Sequence, residues 1–236
     1  MNDTPAERDS WEMHDEATGF MSAVYGKQRV RMAAVALGNG DLLVISPGVP
    51  TSEARFAALE KTGKPRFLLA PNHFHNGGIA TWHARYPDAI VVAHPLALPR
   101  LRKQVPGVPF EDLARLEAAL PSHLRLFGPP MAKQGETWLS IRMATGNAWF
   151  VTDGIINEKR MAGGLLGAVF RLIGFRAQLM TNPLFKRLFL RDKAAYKTWV
   201  CGQLDADKPV LFVPSHGVPL PGPDVTEKLR AVTLAA

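Results

Sequence analysis

The sequence contains a single cysteine, Cys201, among its 236 residues. One cysteine excludes an intramolecular disulfide and any zinc module built from several cysteines. No apolar run approaches the roughly 20 residues that a transmembrane helix needs. The glycine patterns of dinucleotide-binding and Walker loops are absent, as is the Gly-x-Ser-x-Gly pattern of serine hydrolases. These absences favour a globular protein of a reducing, cytoplasmic compartment whose chemistry depends on other residues.

Acidic residues are scarce in one segment, residues 159–197. It holds nine of the 28 Lys and Arg residues but one of the 21 acids, so it carries +8 and the remainder carries −1. Large apolar residues alternate there with Lys and Arg, and packing of a helical apolar face on a sheet is the leading interpretation. A substrate or partner surface comes second, and membrane association is not favoured. The aromatic residues are not spaced for base stacking, so nucleic acid is not expected as a partner.

Length and composition predict one folded domain with an N-terminal leader. Hydrophobic residues make up 47% and charged residues 21% of the sequence, which is ordinary for a globular protein. The first nine residues are polar and acidic and do not match a signal peptide. We expect a leader with partly helical character over residues 1–20 and a single domain over residues 21–236.

Apolar runs and turn signals alternate in a mixed α/β order. Asn39-Gly40, between two strand-like runs, predicts a β-hairpin. A helix over residues 51–61 is predicted to be capped by Thr51 or Ser52. Further strands are predicted at 67–70, 89–94, 124–127, 136–143, 148–152 and 209–213, and helices at 78–86, from about 109, near 161–175 and 183–204, and from 224 onward.

Metal-ligating side chains follow three of these strands, at the points where the strands end. His73 and His75 come after residues 67–70, Asp153 follows the second hairpin, and His216 follows the last strand. Side chains two apart in an extended backbone face the same side, so both imidazoles of the pair can reach one cation. Imidazole and carboxylate together suit zinc, iron or manganese. The alternative is that the pair are ordinary loop residues, that Asp153 caps a following helix and that His216 is a turn histidine.

Three stretches carry a resemblance to a known fold superfamily. Asn72-His-Phe-His-Asn-Gly-Gly, Phe150-Val-Thr-Asp-Gly and Val213-Pro-Ser-His-Gly resemble the metallo-β-lactamase fold superfamily, and are similar to a bacterial family of that fold with the same pattern. The likeness spans roughly residues 33–221. It implies a four-layer αβ/βα sandwich, whose hydrolytic members bind one or two metal ions, usually zinc.

The resemblance also implies roles for four side chains. His73 and His75 match the first two histidines of the superfamily motif His-x-His-x-Asp-His, Asp153 matches the metal-bridging aspartate and His216 the last histidine. The chain also departs from the motif. Its aspartate and its second-metal histidine fall on Gly77 and Gly78, and residues 133–152 contain no histidine. The resemblance therefore implies at most one ion, which would be zinc, iron or manganese.

The missing motif aspartate bears on activity, because in the hydrolases it orients the attacking water. Proton transfer would then fall to Asp153, which we predict as the catalytic residue, or to solvent. The predicted function is a metal-dependent hydrolase of a small molecule, with reduced activity. The alternative is a non-catalytic member of the fold that acts as a binding or interaction scaffold. The superfamily cleaves lactams, thioesters, phosphoesters and lactones, and a shared fold does not choose among them.

Overall fold

The computed structural model describes residues 10–161 and 163–236, in two compact units that divide between Arg125 and Leu126. The predicted leader lies partly outside the described residues, and the assignment of residues 21–236 to one domain stays a prediction. Within the leader, Glu12–Asp15 form strand β1 rather than a helical segment. β1 pairs antiparallel with the next strand, where Met13 lies opposite Met21, so sheet pairing overrides the local helical preference.

The first unit is built on a seven-stranded sheet whose strands lie side by side in chain order. The first four strands are antiparallel neighbours, and the fourth to the seventh run parallel. The strands are β1, β2 (Phe20–Tyr25), β3 (Val30–Gly38), β4 (Asp41–Ile45), β5 (Lys64–Ala70), β6 (Ile90–Ala93) and β7 (Phe110–Asp112).

Turn chemistry and helix capping explain how this unit is connected. Asn39 and Gly40 both have positive φ, 52° and 79°, which confirms the predicted hairpin between β3 and β4. The Ser52 hydroxyl accepts a hydrogen bond from the Arg55 N–H at 3.2 Å and caps the first helix, as predicted. The helices of this unit are α1 (Glu53–Glu60), α2 (Ile79–Arg85), α3 (Leu98–Gln104) and α4 (Ala114–Glu117). The helix predicted from about residue 109 begins only at Ala114, because the residues before it form β7 and pair with β6.

A half-buried histidine on β1 packs against β2. His14 Nε2 lies 2.7 Å from Ser22 Oγ, and its ring centroid lies 5.0 Å from that of Phe20. Burial lowers the pKa of His14 to about 4, since the charged imidazolium loses its water; Glu12 opposes this and Arg31 adds to it. His14 is therefore neutral in the folded protein at neutral pH.

The second unit contains a five-stranded sheet in the order β14-β13-β10-β9-β8. β10 and β13 run parallel, whereas β9 and β14 are antiparallel to their neighbours β10 and β13. The strands are β8 (Leu124–Phe127), β9 (Trp138–Met143), β10 (Gly146–Val151), β13 (Leu211–Pro214) and β14 (Leu220–Pro221), and β11 (Ile155–Asn157) and β12 (Leu179–Thr181) form a separate pair. Buried aromatic side chains such as Trp138, Trp149 and Phe212 fill its core.

The helices of the second unit are shorter than the sequence predicts. The stretch near 161–175 contains α5 (Gly164–Leu172). The stretch 183–204 divides into a π-helix (Phe185–Phe189) and α6 (Lys193–Asp207), which begins after the capping residue Asp192. Helix α7 (Val225–Leu234) is the last element, as predicted. No helix of the described residues combines the length and apolar character needed to span a membrane.

Candidate metal centre

The histidine pair of the first unit lies in a turn directly after β5. The Asn72 carboxamide oxygen accepts hydrogen bonds from the N–H groups of Phe74 at 2.8 Å and His75 at 3.2 Å. An asparagine side chain that bonds the backbone two residues ahead forms a tight turn. The pair is therefore carried by a turn rather than by the extended backbone expected from sequence. Both imidazoles are buried, with exposed fractions of 7% for His73 and 6% for His75.

A buried serine at the end of β4 holds the ring of His75. Ser46 Oγ lies 2.8 Å from His75 Nδ1, and the Tyr25 hydroxyl lies 3.3 Å from the same oxygen. Such outer-shell partners set the tautomer and the ring orientation of a ligating histidine. Because Ser46 engages Nδ1, we expect a cation to bind His75 through Nε2. Sequence reasoning missed Ser46, since its contact joins residues 29 positions apart.

Close packing at the start of α2 bears on Gly78, one of the two glycines that the resemblance aligns with motif residues. A Cβ atom on Gly78 would lie 2.3 Å from the carbonyl oxygen of Pro47, so this position admits no side chain in the present backbone. A Cβ atom on Gly77 would meet nothing within 4 Å. The loop after β4 therefore closes the position to which the resemblance assigns a second-metal histidine. The position of the motif aspartate is open and simply lacks a side chain.

The second unit brings Asp153 and His216 into direct contact. Asp153 follows β10 and His216 follows β13, and these strands are parallel neighbours with Val151 opposite Pro214. The ends of the two strands therefore meet at one edge of the sheet, where open α/β folds place ligands. His216 Nε2 lies 3.0 Å from Asp153 Oδ1. Asp153 is followed by β11 rather than by a helix, which removes the alternative of a helix cap.

The backbone on each side of this pair is fixed by hydrogen bonds and close packing. The carbonyl oxygen of His216 accepts a hydrogen bond from Asn157 N–H at 3.0 Å. Gly217 has a φ of +105°, and a Cβ atom there would lie 2.0 Å from the Asn157 carbonyl oxygen. This close approach to β11 requires glycine after His216. The loop that carries the imidazole is thus held against a strand.

A buried glutamate that sequence reasoning missed holds the Asp153 backbone. Glu136 Oε1 accepts hydrogen bonds from the N–H groups of Asp153 at 2.7 Å and Gly154 at 3.1 Å, and from Trp138 Nε1 at 2.8 Å. Its exposed fraction is 2%. A buried carboxylate is costly unless it is hydrogen-bonded, and here three donors converge on one oxygen. The available signal in the sequence was an acidic residue two positions before the apolar strand β9.

The charge of the Asp153–His216 pair follows from opposing effects. Burial lowers the pKa of His216, but the hydrogen bond and negative charge of Asp153 outweigh it, with Glu158 and Glu136 adding to the same effect. The net result is a raised pKa for His216. Imidazole and carboxylate in hydrogen-bond contact are also a donor pair that zinc, iron and manganese accept. The chemistry of the pair fits both a shared proton and a shared cation.

Comparison with solved structures finds metallo-β-lactamases. The DIM-1 metallo-β-lactamase matches with a TM-score of 0.58 and 9% identity, over 96% of this chain and 97% of its own. A metallo-β-lactamase from Erythrobacter litoralis matches with a TM-score of 0.58 and 16% identity, over 96% and 92%. FIM-1 from Pseudomonas aeruginosa, in a mono-zinc form, matches with a TM-score of 0.56 and 12% identity, over 96% and 95%. No protein-family model matches the chain, and no curated protein matches it in sequence.

The chain therefore has the metallo-β-lactamase fold. This confirms the metallo-β-lactamase-like α/β fold that was predicted from the strand-end motifs. At these identities the likeness shows the fold alone. The assignment of His73, His75, Asp153 and His216 as ligands, and of Asp153 as catalytic, stays a prediction.

Proposed function

We propose that the chain is a metal-dependent hydrolase of a small molecule, and that the four residues matching the superfamily motif, His73, His75, Asp153 and His216, hold a single metal ion. The observation that carries this proposal is the contact of 3.0 Å between His216 and Asp153 at the ends of two neighbouring parallel strands. The residue types suit zinc, iron or manganese.

Each side chain has a distinct role in this proposal. A bound ion of this kind polarises the scissile group and lowers the pKa of water. Ser46 orients the ring of His75 through Nδ1. Asp153, whose side chain is 14% exposed, accepts the proton of the attacking water. Glu136 keeps the Asp153 backbone in place, so the carboxylate is presented from a rigid support.

A non-catalytic scaffold is the second candidate, and the packing of Gly78 favours it. With no room for a side chain at that position, a second ion would lack its histidine. The open position at Gly77 offers no carboxylate for the attacking water. Under this alternative the fold binds a metal ion or a partner without turnover.

Metal content tests the proposal directly. Protein purified without added metal, and then supplemented with zinc, iron or manganese, is expected to hold about one equivalent by elemental analysis. His75→Ala, Asp153→Asn and His216→Ala should each lower that content. His123→Ala serves as the control, because that histidine lies in the loop before β8. Failure of the supplemented protein to hold any metal would contradict the single-ion site.

A substrate panel separates the hydrolase from the scaffold. Thioesters, lactones, phosphodiesters and lactams cover the bond types cleaved by the superfamily. The hydrolase proposal expects turnover of one class, lost in Asp153→Asn. Binding of metal without turnover of any class would favour the scaffold.

A further inference from the structure

Helix α5 presents an uncovered apolar face. Leu165, Val169 and Leu172 are 82%, 47% and 85% exposed. Their spacing of four and three residues places them on one side of the helix. The interpretation that the apolar residues of this segment pack on a sheet therefore does not hold for this face. Three large aliphatic side chains that are exposed to solvent on one face of a helix indicate a binding surface.

Exposed arginine side chains surround the carboxyl end of the same helix. The Arg187 guanidinium donates a hydrogen bond to the carbonyl oxygen of Ile173, one residue beyond α5. Arg176 Nη1 donates to the carbonyl oxygen of Arg171 at 2.8 Å, which brings a second guanidinium to the last turn. Arg171 lies within that turn. We call the three aliphatic residues and these three arginines the α5 patch.

The charge around the α5 patch is almost entirely positive. Residues 159–197 contain one acid, Asp192, whose carboxylate is engaged as the cap of α6 through Ala195 N–H at 2.9 Å. Basic residues of this segment lie close enough to repel one another. The pKa of Lys186 is lowered by burial and by the positive charges of Lys193, Arg187 and Lys197. The segment has too few acidic residues to balance its positive charge, so the binding partner that matches it electrostatically is an anionic surface.

We propose that the α5 patch docks on an anionic lipid surface, with the aliphatic face entering the headgroup region and the arginines binding lipid phosphates. Aliphatic residues beside basic residues are the composition of helices that lie in a membrane interface. Arginine binds phosphate in bidentate geometry. Nucleic acid fits less well, because the rings of Phe170 and Phe175 pack edge to face, with centroids 5.2 Å apart, and offer no platform for bases. A symmetric contact with a second copy would bring two sets of arginines together, which is repulsive.

Vesicle co-sedimentation of the full chain tests the docking surface. We expect binding to phosphatidylcholine vesicles that contain phosphatidylglycerol, and weak or no binding to phosphatidylcholine alone. Added salt should weaken the binding, because exposed charges are screened. The double variant L165S/L172S should lower the partition coefficient on the order of tenfold, through loss of apolar burial. Arg171→Gln should lower it about fivefold, the effect of one basic residue at an anionic surface.

A matched control and the opposing outcomes make the test decisive. Leu96→Ser removes a leucine that is 46% exposed in the first unit and should leave vesicle binding unchanged. Circular dichroism checks that each variant is folded. No sedimentation with phosphatidylglycerol vesicles at low salt would overturn the proposal, as would binding that survives L165S/L172S. Concentration-dependent self-association that the double variant abolishes, without vesicle binding, would assign the α5 patch to a second copy instead.

Discussion

Replacement of Glu136 tests how the edge of the second sheet is held. One carboxylate oxygen of Glu136 accepts three hydrogen bonds, from Asp153 N–H, Gly154 N–H and Trp138 Nε1. Glutamine keeps one acceptor oxygen but loses the charge, and neutral hydrogen bonds are roughly half as strong as charge-assisted ones. With a loss of about 0.5–1 kcal/mol at each of three donors, Glu136→Gln should destabilise the protein by about 2 kcal/mol.

Glu136→Ala should have a larger effect, because three buried donors then lack their acceptor. At about 1–3 kcal/mol for each unsatisfied donor, the expected loss is about 5 kcal/mol. Urea unfolding followed by circular dichroism measures both changes, and Glu117→Gln on the exposed surface of α4 is the matched control. If Glu136→Gln unfolds at the same urea concentration as the unaltered protein, the assignment of Glu136 as the support of the Asp153 loop is refuted.

Three further predictions test other parts of the structure. Gly78→Ala should destabilise the protein by about 2 kcal/mol or more, because its Cβ meets the Pro47 carbonyl at 2.3 Å, whereas Gly77→Ala should change stability by less than about 0.5 kcal/mol. Ser46→Ala should weaken zinc binding by about 10- to 100-fold in a competition titration, through loss of the outer-shell hydrogen bond. His14 stays neutral when folded and takes a proton when unfolded, so lowering the pH from about 7 to about 5 should cost about 2 kcal/mol that His14→Gln does not lose.

Each of these predictions has an outcome that would contradict it. Equal stability of the two alanine variants in urea would mean that the loop after β4 yields easily to a side chain. Zinc affinity that does not change in Ser46→Ala would remove the proposed orientation of His75. If the unfolding midpoints of His14→Gln and the unaltered protein shift equally with pH, burial does not lower the pKa of His14.

The predictions that succeeded rest on short-range chemistry. Asn39 and Gly40 encode their hairpin through positive φ, and Ser52 caps α1 through a bond three residues away. Apolar runs bounded by turn residues located most strands, because burial on a sheet depends on the local pattern. The predictions that failed concern short elements whose conformation depends on a neighbour. β1 and β7 are strands because an adjacent strand pairs with them.

Sequence alone predicted the fold and located side chains of the types that bind metal ions, because strand-end residues can be recognised beside apolar runs. Only the tertiary structure showed which of these residues are held in place by hydrogen bonds from other residues, and which residues those partners are. The contacts of Ser46 with His75 and of Glu136 with Asp153 join residues 29 and 17 positions apart, and no local pattern encodes such distances. Long-range packing likewise decides whether a side chain fits at Gly78 and whether the apolar face of α5 is covered. A sequence shows that a position is glycine or that a helix has an apolar face. Packing against distant residues determines whether the glycine position has room for a side chain and whether the apolar face is exposed.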